Sequence, residues 1–192
     1  EESAQQRLVI ESDLRVALKR GQLHLAYQAQ VDAQGRVGGA EVLLRWQHPE
    51  RGLLTPPAFL DVAEETGVIG PIGDWVISTA ARTLRELIDD ATLERSVTMH
   101  VNVSPRQLSD AGFVERTTNT LSAAGVDLRQ LVLKARDIKA SLELLSRTLP
   151  LRIVEQCAIA GAFRAEVLSN EDMARETALY VAKRLDHLET EY

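Results

Sequence analysis

The order of apolar and polar positions predicts alternating helices and strands over the first two thirds of the chain. Some segments have apolar residues at helical spacing, and others alternate apolar with polar residues or are apolar throughout. The predicted helices cover residues 7–19, 57–65, 71–90 and 105–124, and the predicted strands cover residues 23–31, 37–46, 97–103 and 131–135. Glycines that commonly end helices follow three of these helices, at Gly21, Gly67 and Gly125. Strands that alternate with helices after an initial strand pair predict an α/β fold with a parallel sheet.

The pattern changes after residue 138. Residues 142–150 predict a short helix, and residues 171–188 predict a long amphipathic helix. Only residues 151–154 resemble a strand in this part of the chain. Earlier, residues 48–57 are rich in glycine and proline, and they predict a loop that includes His48.

Composition narrows the class of protein. Apolar residues make up 45% and charged residues 26% of the chain, which is ordinary for a globular domain with a hydrophobic core. The net charge of -6 disfavours nucleic acid as the main partner, because an acidic surface gains nothing from counterion release. Local arginines can still hold a small anion. No apolar run is long enough to span a membrane, and the lone cysteine, Cys157, forms no intrachain disulfide, which together predict a cytoplasmic protein.

Several short motifs, in one order along the chain, resemble the EAL domain family, the bacterial cyclic-di-GMP phosphodiesterase fold. The signature triplet EAL stands here as EVL, at Glu41-Val42-Leu43, and LRW follows it as in the family. The other matching segments are YQAQVD from Tyr27, the stretch from His48 to Glu65, GVIGPIGDWVI from Gly67, VNVS from Val101, and Gln107-Leu108. Each motif alone is weak, and their shared order makes the match specific.

The resemblance implies a TIM-type barrel with its site at the C-terminal ends of the strands. Such a barrel needs roughly 200 residues or more, and the 192 residues here do not show eight strand-helix units. We therefore expect a TIM-barrel-like EAL fold that is incomplete or rearranged in its second half. Residues 1–20 are expected to be a linker helix from a preceding domain, and residues 21–192 a degenerate or truncated EAL domain.

The family's activity is hydrolysis of cyclic-di-GMP by water that two divalent metals, Mg²⁺ or Mn²⁺, activate. The resemblance assigns two residues to the metal site, Glu41 and Asn102. It assigns three residues to nucleotide binding, Gln28, Leu43 and Arg45.

Two departures from the family pattern fall in the metal site. Lys134 stands where the family has a metal-binding glutamate, and an ammonium repels a divalent cation and offers it no lone pair. The family's loop with paired aspartates, expected near Asp137 and Ile138, is absent from the sequence. We therefore expect no intact catalytic set and no bound metal.

The partner of Glu41 is left open by the sequence. Arg45 either holds a ligand phosphate or pairs with Glu41. Lys134 is the other candidate for a salt bridge with Glu41, in place of the metal. The pair Glu64-Glu65 predicts an acidic helix end. The four histidines, His24, His48, His100 and His187, have no metal-ligand spacing.

Three functions are compatible with these residues. The first is a non-catalytic module that binds cyclic-di-GMP and signals to a protein partner or within a homodimer, which Arg45, Leu43 and Gln28 favour. The second is a protein-binding adaptor without nucleotide, which the missing later pocket segments favour. The third is a fragment of an active phosphodiesterase, and Lys134 speaks against it because it is a substitution and not a deletion.

Overall fold

The computed structural model describes residues 2–31, 33–94 and 96–135. Within them the helices are α1 (Glu2–Ala17), α2 (Leu60–Thr66), α3 (Ile69–Asp89), α4 (Pro105–Leu108) and α5 (Phe113–Ala123). The strands are β1 (Leu23–Val31), β2 (Val37–His48), β3 (Gly52–Leu54), β4 (Thr98–Val103) and β5 (Leu131–Ala135). The elements predicted for residues 142–150, 151–154 and 171–188, Cys157 and the second half of the barrel lie outside the described residues.

The strands of the described part form one sheet in the order β1-β2-β4-β5, and β3 pairs with β2 off this row. Strand β1 is antiparallel to β2, whereas β2, β4 and β5 are parallel to one another. Each parallel connection passes through helices, α2 and α3 before β4 and then α4 and α5 before β5. The predicted strand pair followed by a parallel sheet is therefore confirmed.

Three local predictions are wrong. The loop predicted at residues 48–57 contains β3, which turns back at Gly52 with φ 70° and pairs with the end of β2. The helix predicted at residues 105–124 is two helices, because the Asp110 side chain accepts a hydrogen bond from the Gly112 N–H at 3.0 Å and holds a turn between them. His48 is the last residue of β2 and not a loop residue.

The hydrophobic core lies between one face of the sheet and the apolar sides of the helices. Alternate residues of each strand point into it. The strands contribute Leu23, Val42, Trp46, Met99, Val101, Val103 and Leu131. Trp46 is fully buried and meets Phe59 edge to face, with ring centroids 5.5 Å apart. No helix of the described residues has both the length and the apolar character that a membrane crossing requires.

Helix α1 packs on this same core. Its residues Ile10, Leu14 and Ala17 are buried in it, and Gly21 follows the helix with φ 64°. The boundary between a linker and a domain at residue 20 stays a prediction.

His48 joins α1 to the turn after β2. Its Nδ1 accepts hydrogen bonds from the backbone N–H groups of Glu50 and Arg51, at 3.1 and 3.2 Å. Because Nδ1 accepts, the ring proton lies on Nε2, which donates to Asp13 Oδ2 at 3.1 Å. Both ring nitrogens are thus used in structural contacts, and His48 is 2% exposed.

Helix α3 also touches the N-terminus of α4. Ser104 and Gln107 form a capping box, in which Gln107 Oε1 accepts from the Ser104 N–H at 3.1 Å and Ser104 Oγ accepts from the Gln107 N–H at 3.3 Å. Gly73 of α3 lies directly against this glutamine, and a Cβ there would be 2.8 Å from Gln107 Cδ. A larger residue at position 73 would therefore displace the Gln107 side chain that forms the cap.

We predict that Gly73→Ala lowers the free energy of unfolding by about 1–3 kcal/mol, because the new methyl group displaces the Gln107 side chain. The matched control is Gly70→Ala on the same helix, where an added Cβ meets nothing within 4 Å. This control is expected to leave the stability unchanged or raise it by up to about 1 kcal/mol, since alanine favours a helix. Urea unfolding of both variants measures the difference, and equal effects at the two sites would contradict the packing argument.

Candidate functional site

The strand registers place all the residues of the predicted site on one face of the sheet. Gln28 lies opposite Glu41 in the β1–β2 pair, Glu41 lies beside His100 in the β2–β4 pair, and Asn102 lies beside Lys134 in the β4–β5 pair. Paired residues share a face, and so do residues two apart along one strand. Leu43 and Arg45 therefore lie on the same face as Glu41. This face is opposite to the one that carries the hydrophobic core.

Glu41 is the centre of the contacts on this face. Its Oε1 accepts a hydrogen bond from Asn102 Nδ2 at 3.0 Å, and its Oε2 lies 3.4 Å from Lys134 Nζ. The side chains of Glu41 and Lys134 are 27% and 15% exposed, so the ion pair is partly shielded from water. The hydrogen bond from Asn102 is the main cause that holds the pKa of Glu41 below its ordinary value. Burial opposes it, and the charge of Lys134 lowers the pKa further. The predicted salt bridge between Lys134 and Glu41 is present.

Arg45 does not pair with Glu41. Its Nη1 donates to the carbonyl oxygen of Leu44 at 2.8 Å, and the side chain is half-buried. The alternative pairing raised by the sequence is thus not formed in the described contacts. Gln28 is exposed at the edge strand β1, and Leu43 is half-buried between the two polar residues of β2.

Two further residues of this face, Thr98 and His100, were not predicted as part of the site from the sequence. His100 Nε2 lies 3.0 Å from Thr98 Oγ1, and His100 Nδ1 is buried without a hydrogen-bond partner in the described part of the chain. Burial, and then the charge of Lys134, lower the pKa of His100, so the ring is neutral at pH 7. The signal was available, because both residues stand at even spacing from Asn102 in the strand TMHVNV.

The described residues do not fit a divalent metal. They include no group of three or more His, Cys, Asp or Glu side chains that could hold an ion. Both oxygens of Glu41 already accept from nitrogen donors, and one of these donors is a cation. Mg²⁺ is commonly held by one or two free carboxylates, with waters completing its shell, and the carboxylate of Glu41 is already paired with an ammonium.

A separate cleft lies on the helical side of the molecule, away from these residues. Helices α3, α4 and α5 line it, and Arg116 bridges Asp74 and Asp110 at its rim, at 3.0 and 2.6 Å. Arg106, also in this cleft, donates to the backbone carbonyl oxygens of Glu64 and Glu65 at 2.9 and 3.3 Å. These contacts join helices to one another. Glu65, which belongs to the acidic helix end predicted at Glu64-Glu65, also forms a salt bridge with Arg7 at 2.6 Å.

The family model described as EAL domain matches residues 11–149, so this chain belongs to the EAL domain family. It is 40% identical over 152 residues to the bifunctional diguanylate cyclase/cyclic di-GMP phosphodiesterase MucR of Pseudomonas aeruginosa, a match that covers 76% of this chain and 22% of MucR. The fold class predicted from sequence is thereby confirmed, since the EAL fold is a TIM-like barrel and the described residues form part of it.

Solved structures of EAL domains are similar to this one. The PaMucR phosphodiesterase in its c-di-GMP complex superposes with a TM-score of 0.67 at 38% identity, over 79% of this chain and 60% of that chain. The FimX EAL domain from Pseudomonas aeruginosa bound to c-di-GMP has a TM-score of 0.62 at 26% identity, over 72% of this chain and 55% of that chain. The chain thus spans less than two thirds of the length of MucR and of both solved chains.

We predict that Glu41→Gln destabilises the fold at pH 7 and that this penalty shrinks in acid. The folded-state pKa of Glu41 lies below its unfolded value of 4.5. Its contribution to stability is therefore present above that pH and is lost as the pH falls through the folded-state pKa. Urea unfolding of both proteins at pH 7 and at acid pH measures the penalty. An equal penalty at both pH values would contradict the charge argument.

Proposed function

We propose that this chain is a non-catalytic EAL module that binds cyclic-di-GMP and signals in the cytoplasm, to a protein partner or within a homodimer. The observation that carries the proposal is the ion pair between Lys134 and Glu41, with Nζ 3.4 Å from Oε2. It lies on the face where hydrolysis in this family requires Mg²⁺ or Mn²⁺.

The loss of catalysis follows from charge. An ammonium beside the carboxylate repels a divalent cation by several kcal/mol at an effective dielectric of about 20. Binding of a metal would also have to displace the hydrogen bond from Asn102 or share its oxygen with it. Without the metals there is no activated water and no stabilisation of the leaving oxygen.

The retention of nucleotide binding is supported by Gln28, Leu43 and Arg45. They lie on the sheet face that carries Glu41, Asn102 and Lys134, here called the ion-pair face. The two similar EAL structures named above are c-di-GMP complexes. The guanidinium of Arg45 holds only a backbone carbonyl in the described contacts, so it can exchange this weak partner for a phosphate oxygen. Leu43 supplies an apolar surface between the two polar positions.

The alternative of a protein-binding adaptor differs from this proposal in one measurable respect, which is its affinity for the dinucleotide. We expect saturable binding of labelled cyclic-di-GMP, and a loss of about tenfold or more in Arg45→Ala, because a charge-assisted hydrogen bond is removed. Arg82→Ala is the matched control, since Arg82 is exposed on α3. The absence of binding at high micromolar protein would leave the adaptor as the function.

Metal binding and turnover form a second test. We expect calorimetric titration with Mg²⁺ or Mn²⁺ to show no micromolar site, and chromatography to show no linear product from cyclic-di-GMP with Mn²⁺. The variant Lys134→Glu is expected to tighten metal binding, because the carboxylate replaces a repelling cation. Hydrolysis by the unaltered chain would overturn the non-catalytic assignment and favour an active phosphodiesterase.

A further inference from the structure

The net charge of the ion-pair face is opposite in sign to that of a hydrolytic EAL site before its metal binds. Among the described residues, Glu41 supplies one negative charge, and Lys134 and Arg45 each supply a positive one. This half of the site therefore carries one more positive than negative charge without any bound ion.

The family pattern has a glutamate at position 134. With that glutamate, the net charge of these three side chains would be negative. Two carboxylates and one guanidinium leave one negative charge, which repels the phosphodiester groups of a dinucleotide. One divalent cation would reverse this to one positive charge. Lysine at position 134 reaches the same balance with a covalently attached cation.

We propose that the Lys134 ammonium replaces the divalent cation in ligand binding, so that this face holds a phosphodiester of cyclic-di-GMP without metal. The inference rests on the proposed function and adds to it a phosphate-binding residue and independence from metal. Lys134 becomes a phosphate-binding residue on the same face of the sheet as Arg45, and Glu41 becomes the residue that positions it.

The geometry favours this role. Lys134 is 15% exposed and its ammonium is held by Glu41, so the side chain has already lost much of its conformational freedom before a ligand arrives. An ammonium has three donors, and Glu41 is the one hydrogen-bond partner it has among the described residues. Two donors therefore remain for phosphate oxygens. The second carboxylate oxygen is held by Asn102, which fixes the orientation of the pair.

The experiment measures the affinity for labelled cyclic-di-GMP in EDTA and in excess Mg²⁺. For the unaltered chain we expect the two affinities to agree within about twofold. For Lys134→Met we expect binding weakened by about tenfold or more in both buffers, because a charge-assisted contact is lost. For Lys134→Glu we expect undetectable binding in EDTA and partial recovery in Mg²⁺.

Two controls separate charge from folding. Lys134→Arg keeps the positive charge and is expected to bind in EDTA, which shows that the charge and not the lysine packing is required. Lys19→Met removes an exposed lysine in the turn after α1 and is expected to leave the affinity unchanged. Far-UV circular dichroism checks that each variant is folded.

The outcomes distinguish this inference from the proposed function. Binding that EDTA abolishes in the unaltered chain, or that Lys134→Met leaves intact, overturns the inference while cyclic-di-GMP remains the ligand. If no variant and no buffer gives binding, both the proposed function and the inference are wrong.

Discussion

The structure depends on how the carboxylate of Glu41 is satisfied on an otherwise sparsely charged face of the sheet. A partly buried carboxylate without donors is costly, and here two other strands of the sheet each supply a donor to one of its oxygens. Asn102 of β4 and Lys134 of β5 reach it from one side of β2. One acid thus connects the three parallel strands through side chains as well as through the backbone ladder. The same contacts occupy the atoms with which a metal would have to bind.

The two faces of the sheet have separate roles. The core face carries Trp46 and its apolar neighbours and packs against the helices, with His48 and Asp13 joining α1 to the β2–β3 turn. The other face carries the charged and amide side chains. Because strand side chains alternate, a substitution at Lys134 alters the polar face without touching the core. This separation explains how an EAL domain can change its chemistry while it keeps the fold.

Much of the fold could be predicted from the sequence. The strands at residues 23–31 and 131–135 were placed correctly because alternation and apolar runs are local signals. The single helix predicted after Ser104 was wrong, because a turn built on the Asp110 side chain interrupts it. Strand β3 was missed since three residues are too few for a periodic pattern, and pairing with β2 alone makes them a strand. The close contact at Gly73 depends on Gln107, which lies on another helix.

The sequence by itself determined the residue types of the site and their order along the chain, including a lysine where the family has an acid. It also determined that Gln28, Glu41 and Asn102 belong to strands, because strand propensity and alternation are read over a few neighbouring residues. Only the tertiary structure decided which residue Glu41 pairs with. Lys134 reaches it and Arg45 does not, since pairing depends on strand register and on distances between residues far apart in sequence. Local patterns carry no information on that register.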